Sequence, residues 1–360
     1  MTATAATTTA DGGPGAQLLR EIREQPVSLL RLLDHVDEYA RVAERACKNG
    51  TTLVRMVGHG SSDNAASFGV YAFGLLPGWS AMRDSISLSV YYGAELDLTG
   101  SCVLALSQSG QTPDVVDYVE RARARGAFTI AVTNDVDSEL AAAAGAVLPL
   151  AAGREQAVAA TKTYTAQIAA LALLAAHAAG EGRAYADGIR ATATLLDDLL
   201  PVLEREASAT AVALAFVGRM FVIGRGPEFA TAREISLKLL ETCRVAAEPL
   251  TATDLAHGPV AAVDGLFPVW TIAADDEALP AVREAAARAQ AAGATIIASG
   301  TAADAVEGAA FRLPVPRPPL QLLAPLLSVA PGQVMAWALA RAKGLDPDRP
   351  NGLSKITLAR

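Results

Sequence analysis

From residue 16 to residue 48 apolar and charged positions alternate at helical spacing, with one interruption at Pro26. The pattern then changes. The run "TTLVRMV" is strand-like, the turn Gly58-His59-Gly60 closes it, and "SSDNAASFGVY" returns to a helical period. Residues 102–106 (CVLAL) and 128–132 (FTIAV) are two further short apolar runs, and between them Val115, Val116, Val119 and Ala122 share one helical face. Strands alternating with helices predict an α/β fold with right-handed crossovers and a mostly parallel, covered sheet.

The second half repeats the first. "MFVIGRGPEFATAREISLKLLE" matches the first strand and turn, with Gly224 lying 166 residues after Gly58. Ile272 and Ala273 fall 166 after Leu106 and Ser107, and Gly293 falls 167 after Gly126. A near-constant offset predicts two tandem copies of one three-layer, flavodoxin-like domain, at 49–180 and 210–345, joined by a helical connector at 181–209. Helices at 16–48 precede them, residues 1–15 form a loose tail, and 346–360 form a C-terminal tail.

Composition narrows the classes. Of the 360 residues 51% are apolar, enough for a sizeable core, and a net charge of −8 argues against a general nucleic-acid surface. Cys47, Cys102 and Cys243 are far apart and in no CxxC spacing, so a reducing cytoplasm fits better than a disulfide framework. His35, His59, His177 and His257 are as scattered and mark no metal site. The start, "MTATAATTTADGGPG", lacks the cationic and apolar regions of a signal peptide, and the longest apolar stretches read as shorter than a membrane span. A soluble, cytoplasmic protein is expected.

One cluster of side chains is out of proportion. Ser107, Gln108, Ser109 and Thr112 crowd the handover from a strand to its helix, with Thr112 as N-cap and Pro113 at the first helical position. Ligands of parallel sheets bind outside the strand carboxyl ends, where helix N-termini present free N–H groups. A second hydroxyl pair, Ser61 and Ser62, follows Gly60 on the neighbouring strand end. Taken singly, either loop reads as a structural turn rather than a binding loop. The second copy has Ala273-Ala274-Asp275-Asp276 in place of Ser107-Gln108-Ser109-Gly110, so the fold does not require the hydroxyls. A phosphate monoester held without arginine is the expectation. Asp114, in the first helical turn, is expected to point outward and complement the dipole.

In the second copy Lys238 and Glu241 lie three apart on one helical face, flanked by Leu237, Leu239 and Leu240. Spacing alone favours a solvated ion pair, whereas the flanking leucines point to a proton-shuttling carboxylate in apolar company. His257 sits in a loop before Gly258-Pro259, and Lys355 in a turn-rich tail.

"GHGSSDNA", "ALSQSGQTPD", "AVAATKTYTAQ", "EISLKLLETC", "LAHGPV" and "DRPNGLSKIT" occur in this order. The chain thereby resembles the sugar-isomerase (SIS) double-domain family: the isomerase half of glutamine:fructose-6-phosphate amidotransferase and, more closely, stand-alone SIS-type glucosamine-6-phosphate deaminases. The resemblance implies Ser62, Ser107, Gln108, Ser109 and Thr112 as phosphate ligands, and Gly60, Ser61, Val158 and Ala159 along the sugar. It implies Glu241 as the C1/C2 proton carrier, Lys238 as its companion, His257 for ring opening across a homodimer interface, and Lys355 over the sugar. It implies no metal and no organic cofactor. Ala160 stands where the amidotransferase has serine, and Leu240 where it has lysine. With only about 45 residues ahead of the first domain, a glutaminase reaction is not expected. The expected reaction releases ammonia from a hexosamine 6-phosphate. The alternatives are dehydration of N-acetylglucosamine 6-phosphate through the same C2 proton abstraction, and a non-catalytic phosphosugar sensor.

Overall fold

The computed structural model describes residues 12–355. Residues 1–11 of the expected N-terminal tail, and 356–360 of the C-terminal one, lie outside the described residues. Gly15 donates its N–H to Asp346 Oδ1 at 3.1 Å, so the two ends of the described chain meet. Helices α1 (Ala16–Arg23), α2 (Gln25–Leu33) and α3 (Val36–Lys48) follow. Pro26 falls in the first turn of α2, where its missing N–H leaves no hydrogen bond unmade.

The first sheet unit runs β1 (Leu53–Val57), α4 (Ser61–Leu75), β2 (Ser80–Arg83), α5 (Ile86–Val90), β3 (Ser101–Ser107), α6 (Pro113–Ala124), β4 (Phe128–Thr133), α7 (Glu139–Ala143) and β5 (Ala146–Pro149). After α8 (Lys162–Ala178) and α9 (Gly182–Ala213), the second unit runs β6 (Arg219–Gly224), α10 (Glu228–Cys243), β7 (Ala246–Thr251), α11 (Ala252–Ala256), β8 (Pro268–Ile272), α12 (Leu279–Ala291), β9 (Thr295–Gly300) and β10 (Phe311–Pro314). Helices α13 (Pro325–Ser328) and α14 (Ala330–Ala342) complete the core.

Both sheets are parallel at every pairing, in the orders β2-β1-β3-β4-β5 and, read from the matching edge, β7-β6-β8-β9-β10. Leu53 opens β1 and Arg219 opens β6, again 166 residues apart. The sequence repeat is a structural one. In this strand order the connections from β1 and β3 leave in opposite directions, which opens a crevice at their carboxyl ends. β3 is buried along its whole length, as expected of a strand covered on both faces.

Every residue of α8 from Lys162 to Ala176 is buried, and from Ile168 to Ala176 the helix is apolar on all sides because it is enclosed by its neighbours. The stretch expected as a connector is part of α9, which packs on α2, α8 and α14 as a core helix. The run Gln321–Ala342 is 22 residues long and apolar enough to cross a membrane, contrary to the expectation from sequence. Residues 322–340 of it are buried within the fold, which accounts for the composition. The two units join along α4 and α10. Arg233 on α10 donates to Ser67 Oγ at 2.6 Å and to Asp63 Oδ2 at 2.8 Å. That seam sets the N-terminus of α4 beside the second half of α10.

Candidate active site

The two hydroxyl loops stand side by side at the β1 and β3 ends. Thr112 holds the extended N-cap conformation before α6 (φ −74°, ψ 113°), yet its side chain makes no capping bond. Ser107 Oγ accepts the Gly110 N–H at 3.0 Å, and Ser109 Oγ accepts the Gln111 N–H at 3.3 Å. Ser62 Oγ accepts from Gln167 Nε2 at 3.0 Å. A hydroxyl that accepts such a bond keeps its own O–H to donate. The loops therefore present preoriented neutral donors at two helix N-termini, a setting suited to an anion. Gly110 turns the loop at φ 64°, where a side chain would also meet Ser138.

Ser61 differs. Its hydroxyl donates to Glu234 Oε1 at 2.9 Å and accepts from Lys238 Nζ at 3.3 Å, so it ties α4 to α10.

A cavity of about 550 Å³ opens over these loops. Gly60, Ser61, Ser62, Ser107, Gln108, Ser109 and Thr112 line one part of it. Val158, Glu241 and Lys355 line it as well, drawn from three further segments. Among its described lining residues there is no arginine.

Glu241 does not sit in apolar company. Leu240 is 55% exposed, and the glutamate's Oε2 lies 2.5 Å from Lys238 Nζ. Lys238 itself does not line the cavity. It is buried behind Glu241, and its Nζ lies 3.5 Å from a second carboxylate, Glu234. Burial alone would push the Lys238 pKa down, but Glu234 and Glu241 outweigh it and hold the ammonium charged. Glu234 is fully buried, and burial pushes its carboxyl up against the pull of Lys238 and of Asn64, whose Nδ2 donates at 2.9 Å. Glu234, Lys238 and Glu241 lie four and then three residues apart, so the spacing signal was present in "EISLKLLE". The motif resemblance had nonetheless left Glu234 out.

On the opposite wall Lys355 Nζ donates to Glu155 Oε2 at 2.9 Å and to the Ala157 carbonyl at 2.7 Å. Burial would raise the Glu155 carboxyl, yet the Lys355 ammonium, the Thr163 hydroxyl and the Thr161 N–H pull it below its ordinary value. Glu21 on α1 grips the same segment from behind: its carboxylate accepts the N–H groups of Gln156 at 2.5 Å and Ala157 at 3.0 Å. No local pattern in the sequence links Glu21 or Glu155 to the site. Glu21 reaches Gln156 and Ala157 from 135 and 136 residues away, and Glu155 meets Lys355 from 200 residues away.

Two expectations change, those for Ala159 and Asp114. Ala159 is fully buried in the core and Ala160 lines the cavity instead, because a segment with alternating burial turns its even-numbered side chains outward here. His257 is exposed at the end of α11 and is not among the residues that line this cavity. Asp114 does not point outward: it is 7% exposed, and its Oδ2 lies 2.9 Å from His59 Nε2. The three cysteines are free thiols, two of them buried.

The second copy has closed the corresponding place. Glu228, 166 residues after Ser62, is buried at the start of α10, and its carboxyl is pushed up to about 7 by burial. Asp275, 166 after Ser109, pairs with Arg317 at 2.7 Å.

The chain matches the SIS domain family model over residues 54–177 and 213–342. It is 33% identical over 351 residues to glutamine–fructose-6-phosphate aminotransferase (isomerizing) of Pyrococcus horikoshii, covering 96% of this chain and 58% of that relative's length. Among solved structures it is similar to a provisionally assigned phosphosugar isomerase of Silicibacter pomeroyi, with TM-score 0.80, 33% identity, and coverage of 92% and 99% of the two chains. A glucosamine-6-phosphate deaminase of Thermotoga maritima shares the fold, with TM-score 0.71 at 21% identity over 91% of this chain and 98% of that one.

Proposed function

The chain belongs to the SIS-domain family, and on that premise we propose that it is an enzyme that converts a hexosamine 6-phosphate to a ketose phosphate and ammonia. The observation that carries this reading is the meeting of Glu241 with the neutral anion cradle of the other copy in one cavity.

The roles follow from the chemistry of each group. Ser62, Ser107, Gln108, Ser109 and Thr112 donate to the phosphate, aided by the N-termini of α4 and α6. Val158 and the backbone at Gly60 and Ser61 flank the carbon chain. Glu241 accepts the C2 proton of the opened amino aldose and returns it to C1. Lys238 keeps that carboxylate oriented for the transfer. The C2 imine so formed adds water at C2, the C2–N bond breaks, and ammonia leaves with a ketose phosphate. Lys355, poised on Glu155 and Ala157, stabilises negative charge developing at O1. His257 opens the ring in the cavity of a second copy of the chain, which makes the active unit a homodimer.

Incubation of the purified protein with glucosamine 6-phosphate tests the reading. Ammonia and a ketose phosphate in equal amounts are expected. An ultraviolet-absorbing enal from the N-acetyl sugar phosphate, with no ammonia from the free amine, would replace deamination by dehydration. Binding of a sugar phosphate with no turnover of any hexosamine phosphate would leave a sensor.

A further inference from the structure

We infer that His59, held by Asp114, is the titratable cation of the phosphate pocket and takes up a proton as the phosphate monoester binds. The inference rests on the phosphosugar reading above. Both residues line the same cavity as the hydroxyl loops, one at the end of β1 and the other in the first turn of α6.

The electrostatics motivate it. Asp114 is buried, its Oδ2 meets His59 Nε2 at 2.9 Å, and its Oδ1 is buried without a partner among the described residues. A carboxylate suits an empty helix N-terminus. Once a phosphate occupies that terminus, two negative groups face each other in a partly desolvated pocket, and each disfavours the other. A proton on the imidazole cancels this repulsion. With Nε2 engaged by the carboxylate, Nδ1 is the nitrogen that exchanges a proton and can donate to the ligand. The His59 side chain is 56% exposed and so remains open to solvent and substrate.

The other titratable groups facing the cavity are Tyr91 at the end of α5, Tyr164 on α8, Glu241 on α10 and Lys355 in the C-terminal segment. The Lys355 ammonium is taken by Glu155 and Ala157, and the Glu241 carboxylate by Lys238. Asp63, one turn along α4, is taken by Arg83 and Arg233. This leaves the His59–Asp114 pair as the adjustable charge beside the hydroxyl loops.

Calorimetry with glucosamine 6-phosphate, glucosamine and inorganic phosphate, in buffers of different ionisation heat, tests the inference. The wild type should take up more protons than His59→Gln on binding either phosphate-bearing probe, and equally few with glucosamine. The comparison between variants subtracts the second ionisation of the phosphate itself. At pH 6, His59→Gln should weaken phosphosugar binding about tenfold, the worth of one charge-assisted hydrogen bond, with the gap closing towards pH 9. The change should fall on KM and leave kcat within about twofold. His59→Lys should bind as tightly at pH 9 as at pH 6. Equal proton uptake in wild type and His59→Gln would overturn the inference, as would a fall in kcat at unchanged KM. A wild type that binds neither phosphate nor phosphosugar would instead sink the functional reading beneath it.

Discussion

Lys238 Nζ and Glu241 Oε2 stand 2.5 Å apart, one turn apart on α10, with the lysine hidden and the glutamate open to the cavity. A second carboxylate, Glu234, sits on the far side of the ammonium and is itself bonded to Ser61 and Asn64 of α4. The pair is thus a piece of a charged seam that joins the two copies, and its parts should respond differently to substitution.

Glu241→Gln should lower kcat by about 10²- to 10⁴-fold while phosphosugar binding persists, because it removes the proton acceptor and keeps the shape. Lys238→Met should instead lower stability by roughly 3–5 kcal/mol, since it leaves two carboxylates without their cation. Turnover assays and thermal unfolding of the two variants separate the roles. Equal activity of Glu241→Gln and wild type would remove Glu241 from the chemistry.

The ring-opening role proposed for the exposed His257 is tested by mixing subunits. His257→Ala and Glu241→Gln proteins should each be nearly inactive alone. After mixed refolding, an equal mixture should recover about a quarter of wild-type turnover if subunits pair at random and each cavity borrows its histidine. Failure of the mixture to regain activity, with heterodimers verified by mass, would place His257 outside the partner's cavity.

Glu21 accepts two N–H groups of the segment that carries Val158 and anchors Lys355. Glu21→Gln can accept only one of them well, and should raise KM about tenfold, in keeping with the worth of one hydrogen bond to a charged group. A purely structural residue would lower the melting temperature and leave KM unmoved in the surviving fold, so both are measured.

Glu228 gives a pH signature. Burial lifts its carboxyl from the ordinary range to about 7 in the folded chain. Between the unfolded value and about 7 the folded state holds the extra proton, so stability is greatest at the acid end and falls as pH rises through that window. The loss amounts to roughly 3 kcal/mol at most by pH 8. Glu228→Gln should abolish it, and its melting temperature relative to wild type should climb from pH 5 to pH 8. A constant difference across that range would show that Glu228 does not titrate there.

Much of the architecture was legible in the residues alone. The offset that carries Gly58 to Gly224 also carries the start of β1 to the start of β6, because strands and helices have matching lengths in the two copies. Those lengths are written in apolar periodicity. Thr112 and Pro113 marked the start of α6 because N-cap and first-turn positions have strict local requirements. Asp114 departs from the local expectation for the same reason: the dipole rule is local, while its partner, His59, arrives from another strand end.

The sequence by itself determined the elements, their order and the contrast between a hydroxyl-rich loop and its acid-bearing counterpart, since these depend on neighbours within a few positions. The tertiary structure decided which groups share a cavity or a bond: Glu241 with Ser109, Lys355 with Glu155, Glu21 with Ala157, His59 with Asp114. Such pairings are fixed by how parallel sheets dock through α4 and α10, and by burial that makes each unpaired charge costly. Neither leaves a mark at a fixed spacing along the chain.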